Sequence, residues 1–364
     1  RGYDGRLTML SADDAPPSDP PNLSKDYLAG TAPEEWIPLK CEEFYADNRI
    51  DLRLNTEVVS LDPDARTVVT ASGERYEFDA LLLATGAEPV RLDTPGFDRA
   101  NVHTLRSLTD SRALVAAARG ARRVAVIGSS FIGLEVAASL RARGLEVDVV
   151  APESVPLGKV LGEQVGAFVR ILHERNGATF HLGETAKSFD GHRLRLSGGG
   201  EIEADLVVLG VGVRPRTALA QAAGLAVDHG VLVNEFLETS APGIYAGGDI
   251  ARYPDPHSGA PMRVEHWVAA ERQGQAVARN MLGERAPFTD EPFFWSNHND
   301  VAIRYVGYAP DWDAAEVEGV IADGAATVRF KRGGKLLAAA SLGRDKDNLE
   351  IEQALAAANG GPGR

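Results

Sequence analysis

Short apolar runs alternate with longer stretches of helical period through most of the chain. That is the pattern of an α/β protein built on parallel strands. Near the start, RLTMLSAD predicts a strand ending at Asp13. DDAPPSDPPNLSK follows, and its prolines, which lack an N–H and fix φ, predict an irregular loop. DLRLN, RTVVTA and ALLLATGA predict further strands, the last nearly all apolar as a central parallel strand would be. LTDSRALVAAARG predicts a helix, residues 123–143 a strand, turn and helix, and EVDVVA a strand. Residues 159–175 read as helical, and ATFHLG, RLRLS and LVVLGVG as strands. VAAERQGQAVARNML predicts another helix, after which the pattern changes. VAIRYVGY, AAEVEGVI, ATVRFKR and LLAAASL read as a small antiparallel sheet closed by the helix DNLEIEQALAAAN.

With 364 residues the chain exceeds one ordinary domain, and no tandem repeat divides it. A hydrophobic content of 44% supplies ample core, and 25% charged residues is usual for a globular protein. The net charge of −14 sets aside nucleic acid and anionic membrane as partners. No apolar run has membrane-spanning length, and RGYDGRLTML reads as a turn and strand, so no leader peptide is expected. The single cysteine, Cys41, excludes an intrachain disulfide, a dithiol motif and a cysteine-ligated metal centre within the chain. A cytoplasmic setting is therefore expected, with Cys41 as a partly buried structural thiol. His173, His181 and His192 lack metal-ligand spacing and are expected at the surface or in the core; no metal site is expected.

The candidate chemistry begins at RVAVIGSSFIGLEVAASL, residues 123–140. An apolar strand delivers the chain to Gly128, which permits a tight turn. The N–H groups opening the next helix, around Phe131 and Ile132, then offer partial positive charge to a pyrophosphate. Gly133 lets helix and strand approach. Ser130 stands where a middle glycine is usual, and its hydroxyl is expected to donate to a phosphate oxygen. Beyond the strand EVDVVA lies Glu153, slightly past the usual strand-end position at Ala151. An acid there suits a free ribose 2′-OH, which favours NAD(H) over NADP(H).

Three more motifs accompany this one: ALLLATGAEP (Ala80–Pro89), TSAPGIYAGGDIA (Thr239–Ala251) and LSKDYL (Leu23–Leu28). In their order along the chain, the four motifs resemble those of the two-dinucleotide-binding flavoproteins of pyridine nucleotide–disulfide-reductase fold, over nearly the whole chain. GSSFIGLEVAASL, RVEHWVAAERQGQAVARNML and PFFWSNHNDVAIRYVGY resemble the ferredoxin/rubredoxin-reductase and apoptosis-inducing-factor-like branch. The resemblance implies an α/β fold with two Rossmann-like, three-layer ββα nucleotide-binding domains and a C-terminal α+β domain. The expected boundaries are 1–105 with 235–290 for a split FAD-binding domain, 106–234 for the NAD-binding domain, and 291–364 for the C-terminal interface domain. The family opens with a strand and GxGxxG turn for the FAD pyrophosphate, so the sequence reads as truncated before that first βα unit.

The resemblance also implies roles. FAD and NAD(H) are the cofactors. Ala84, Thr85 and Gly86 mark the crossing between nucleotide domains, Gly248 and Asp249 meet the ribityl chain, and Gly212 is a further cofactor contact. Lys25 lies beside flavin N5, and Glu135 pairs with it near the nicotinamide; these two are the candidate catalytic pair. Backbone N–H groups at Glu265, His266 and Trp267 face the flavin N1–C2=O edge, Trp295 walls the pocket, and Asp13 holds the adenosine ribose. Ser18 and Pro20 depart from the family's usual tyrosine and arginine. The implied reaction passes electrons from NADH through flavin to an iron–sulfur protein of ferredoxin, rubredoxin or Rieske type, separate or fused. Two alternatives stay open: an NADH oxidase or peroxidase, which the cysteine missing at the place of Lys25 disfavours, and an apoptosis-inducing-factor-like redox scaffold. Monomer and homodimer are both compatible with the sequence.

Overall fold

Five parallel strands form the central sheet of the structure, a computed structural model that describes residues 2–358. Residues 359–364, the end of the expected C-terminal unit, lie outside the described residues, as does Arg1. The strand order is Ala178–Leu182, Glu146–Ala151, Arg123–Ile127, Leu206–Leu209 and Val102–Thr104. Each strand is short and nearly all apolar because both faces are covered. Val124, Val126, Val147 and Val149 face the helices Leu108–Ala118, Phe131–Ala142 and Gly158–Arg175. Ala125, Ile127, Val150 and Val207 face a three-stranded antiparallel meander, Ala186–Phe189, Arg193–Leu196 and Glu201–Glu203. The result is the three-layer ββα arrangement of a Rossmann-like unit, with strand Val102–Thr104 joining its edge just before residue 106.

Segments on both sides of this unit combine into the second. Strand Leu81–Leu83 pairs in parallel with Ile244–Ala246, and Leu7–Leu10 with Ile50–Arg53. Val58–Asp62, Thr67–Thr70 and Arg75–Glu77 make an antiparallel meander. ALLLATGA is thus not a long central strand. It ends after Leu83, because Gly86 turns the chain at φ +67° and Ala87–Pro89 then pairs antiparallel with Val213–Pro215.

The proline-rich stretch is also more ordered than expected. Pro20–Ser24 is a short helix with proline in its first turn, where a missing N–H costs nothing and the fixed φ already suits a helix. A second short helix, Asp26–Ala29, follows directly, and Lys25 at φ −111°, ψ −111° is the break between them.

The C-terminal part is a five-stranded antiparallel sheet ordered Phe293–His298, Val301–Gly307, Lys335–Leu342, Ala325–Arg332, Ala314–Val320. Helix Asp345–Ala358 packs Ile351 and Leu355 on Val306 and Ala339. The first strand, in a stretch whose sequence carried no clear strand signal, alternates strictly. Phe294, Ser296 and His298 are buried, while Phe293, Trp295 and Asn297 are on the other face. Its inner face joins the main core, where Phe294, Ile303 and Tyr305 continue the cluster that holds Leu23, Leu28 and Leu134.

Candidate functional site

The site forms where helix Phe131–Ala142, the Lys25 break and strand Phe293–His298 meet. Lys25 Nζ lies 2.9 Å from Glu135 Oε1, with side chains 13% and 6% exposed. Such a pair is costly to bury unless its remaining lone pairs are satisfied. Two hydroxyls do this: Ser24 donates to Glu135 Oε2 and Ser296 to Glu135 Oε1, each at 2.6 Å. Three segments far apart in sequence therefore converge on one carboxylate. Lys25 also reaches the Pro21 carbonyl at 3.5 Å, which leaves a third ammonium donor for a ligand.

Aromatic contacts extend the site. The Phe294 ring stacks on His266 at 4.1 Å and meets Phe131 edge-on at 4.9 Å. His266 caps helix Trp267–Met281, so the unbonded first-turn donors belong to Trp267, Val268 and Ala269. Glu265 precedes the cap, its side chain exposed and its carboxylate paired to Arg263. Burial pushes His266 down to about 4, so the ring is neutral near pH 7 and suited to packing, not proton transfer. Trp295 is half-buried in the same strand as Phe294. Strand alternation sets it on the face away from Ser296, tilted against Phe293, and Phe294 takes the inner position.

Behind the lysine lies a pair the sequence reading did not anticipate. His173 Nε2 and His298 Nδ1 are 3.2 Å apart, both buried. Burial holds His173 down to about 4; His298 is also held well below its ordinary value, by burial first and then by the neighbouring His173 and Lys25.

A second cluster surrounds Asp249. Its carboxylate pairs with Arg106, which the sequence reading did not single out, and Arg106 also lies beside Gly86. Gln273 accepts from the Gly248 N–H at 2.7 Å and fixes the turn. Thr85 donates to the Arg216 carbonyl at 2.8 Å, Ala84 is exposed, and Gly212 at φ +99° faces open space.

The glycine turn shows why its residues are small. A Cβ on Gly128 would lie 2.4 Å from the Gly210 carbonyl oxygen, and one on Gly133 would lie 2.4 Å from that of Gly128. Ser130 is committed inward, contrary to expectation: its hydroxyl donates to Gly210 O at 2.7 Å and accepts from Gly133 N at 3.3 Å as the helix cap. Its proton is therefore not available to a phosphate, and the N–H groups of Phe131 and Ile132 remain at the helix mouth. Glu153 follows two residues after strand Glu146–Ala151, half-buried, its carbonyl accepting from Gly183 N at 3.1 Å. Gly133→Ala is expected to cost about 1–3 kcal/mol through overpacking. A urea midpoint unchanged from wild type would contradict the close approach.

Two sequence assignments fall outside these clusters. Asp13 does not end its strand, which stops at Leu10; Asp13 is exposed in the bend beyond, held by Ser11 and by Asn55 N. Cys41 is exposed at the start of helix Glu42–Asp47, not partly buried. Among the described residues no cluster of potential metal ligands forms, and no helix is long and apolar enough to cross a membrane.

Residues 1–274 match the family described as pyridine nucleotide-disulphide oxidoreductase. Rhodocoxin reductase of Rhodococcus erythropolis is 32% identical over 360 residues, 98% of this chain and 84% of that protein. The ferredoxin–NAD(+) reductase component of the anthranilate 1,2-dioxygenase system of Burkholderia cepacia is 35% identical, over 95% of this chain and 87% of that protein. Among solved structures, the covalent putidaredoxin reductase–putidaredoxin complex matches with TM-score 0.93 and 30% identity, over 97% of this chain and 87% of that chain.

Proposed function

The chain belongs to the pyridine nucleotide-disulphide oxidoreductase family, and from that premise we propose that it is an FAD-dependent NADH oxidoreductase that reduces an iron–sulfur protein of ferredoxin type. One observation carries this reading: the buried Lys25–Glu135 pair, held by Ser24 and Ser296 beside the helix whose mouth suits a pyridine nucleotide. The donor set fits a flavin, with one free ammonium donor on Lys25 and first-turn N–H groups at Trp267, Val268 and Ala269. Bound FAD would supply hydride acceptance and single-electron release.

The chain's own residues do the placing. Lys25 would set a fixed positive charge at one edge of bound flavin, and Glu135 holds that ammonium in one direction. The start of helix Trp267–Met281 presents partial positive charge to a second edge. Phe294 and His266 pack the space behind and exclude water. Asp249 and Arg106 suit the polar chain between ring and phosphates, and Phe131 and Ile132 N–H groups the nucleotide pyrophosphate. Glu153 supports NADH over NADPH, as do relatives named for NAD(+). The ferredoxin reductase relative and the putidaredoxin complex support the choice of acceptor. Domain limits of 1–105 with 235–290, 106–234 and 291–364 and a cytoplasmic setting belong to the same proposal.

The reading is tested by loading the protein with FAD and comparing NADH turnover with a ferredoxin and with peroxide. Fast ferredoxin-dependent turnover and negligible peroxide turnover are expected. FAD-loaded protein that turns over peroxide as fast as ferredoxin, or that NADH does not reduce, would sink it.

A further inference from the structure

Helix Phe131–Ala142 grips the Lys25 segment once per turn. Glu135, Ser139 and Arg143 are spaced four residues apart and so share one face. Glu135 takes the Lys25 ammonium and the Ser24 hydroxyl. One turn on, the buried Ser139 hydroxyl lies 2.7 Å from the Ser24 carbonyl and 3.2 Å from that of Lys25. A further turn on, the Arg143 guanidinium donates to the carbonyls of Leu28 and Tyr27, the latter at 3.3 Å. Gly30, left-handed at φ +85°, ends helix Asp26–Ala29, and a Cβ there would lie 3.2 Å from that guanidinium.

These contacts answer a local need. Lys25 has neither helical nor extended dihedrals, so the chain breaks there. The Lys25 and Tyr27 carbonyls still accept from Ala29 N and Gly30 N, while those of Ser24 and Leu28 are met by Ser139 and Arg143. Buried carbonyls without donors are unfavourable, and Ser139 and Arg143 supply donors from another element. Glu135 alone could accept a lysine from several directions. The two further grips leave one.

We propose that Ser139 and Arg143 are positioning residues, which hold the break at Lys25 so that its ammonium stays in register with Glu135. This rests on the reading of Lys25 as the residue beside the flavin. The same helix opens at Phe131 and Ile132, where the pyridine nucleotide is proposed to sit. One rigid element thereby sets both the nucleotide and the lysine, and the distance between them is fixed by the helix itself.

The test reads Lys25 directly in the full chain, as its rate of acetylation by acetic anhydride followed by peptide mass spectrometry. The ion-paired, nearly buried amine should react slowly in the wild type. Ser139→Ala and Arg143→Met should each raise that rate about fivefold, the effect of one lost hydrogen bond, and Ser139→Thr should restore it. In FAD-loaded protein, Ser139→Ala should slow reduction by NADH about tenfold while the NAD+ dissociation constant is unchanged. Wild-type acetylation rates in both Ser139→Ala and Arg143→Met would overturn the proposal; if Ser139→Ala fails to fold, Arg143→Met alone decides. A wild type that never oxidises NADH would end the functional reading and leave the acetylation result to judge this one.

Discussion

Glu135→Ala is expected to destabilise the fold by about 3–5 kcal/mol, the usual cost of breaking a buried ion pair from one side. The size follows from what is stranded. Lys25 is 13% exposed and would lose the Glu135 carboxylate, Ser296 would lose its acceptor, and Ser24 would be left with the Pro21 carbonyl at 3.3 Å. Glu135→Gln should cost less, since an amide oxygen still accepts from a hydroxyl or from the ammonium. Urea unfolding of both variants measures the difference. Equal midpoints for wild type and Glu135→Ala would mean that the pair is solvated, in which case the site as described does not exist.

The second large effect is a loss of stability in mild acid. His173 has an ordinary value of 6.5 and is held to about 4 when folded. A depressed histidine binds its proton more readily in the unfolded chain, so stability is full above pH 6.5 and falls as the pH drops toward 4. At about 1.4 kcal/mol per unit, His173 alone accounts for about 3 kcal/mol across that window. His298 acts in the same direction, because a proton there would face Lys25 and His173 inside the core. Exchanging both residues for glutamine should flatten the dependence of the urea midpoint on pH between these limits. A double variant with the wild-type slope would show that the pair does not titrate with unfolding.

What the sequence made legible was local chemistry. Gly133 could be read because it answers to the Gly128 carbonyl within its own strand–turn–helix unit. Gly210, which closes the same contact from the next strand, carried no such mark. Lys25 and Glu135 were found through their motifs, whereas nothing local marked Ser139: its partners are 114 and 115 residues away. Distance in sequence also hid Arg106 from Asp249 and Ser296 from Glu135.

Other expectations failed for stated physical reasons. Ser130 was read as a phosphate donor because it stands at the turn, but capping its own helix and bonding Gly210 use the hydroxyl first. Prolines 20 and 21 predicted a loop, yet proline at the start of a helix is favourable.

The central claim is that Lys25, fixed by Glu135, stands where hydride from NADH is received. Anaerobic rapid mixing of FAD-loaded protein with excess NADH tests it, with the yellow absorbance followed in wild type and in Lys25→Met. The wild type should bleach fully, and Lys25→Met should bleach slower by about a hundredfold, the usual effect of removing one preorganised charge from a reacting centre. Bleaching of Lys25→Met at the wild-type rate, with FAD bound in both, would contradict the claim.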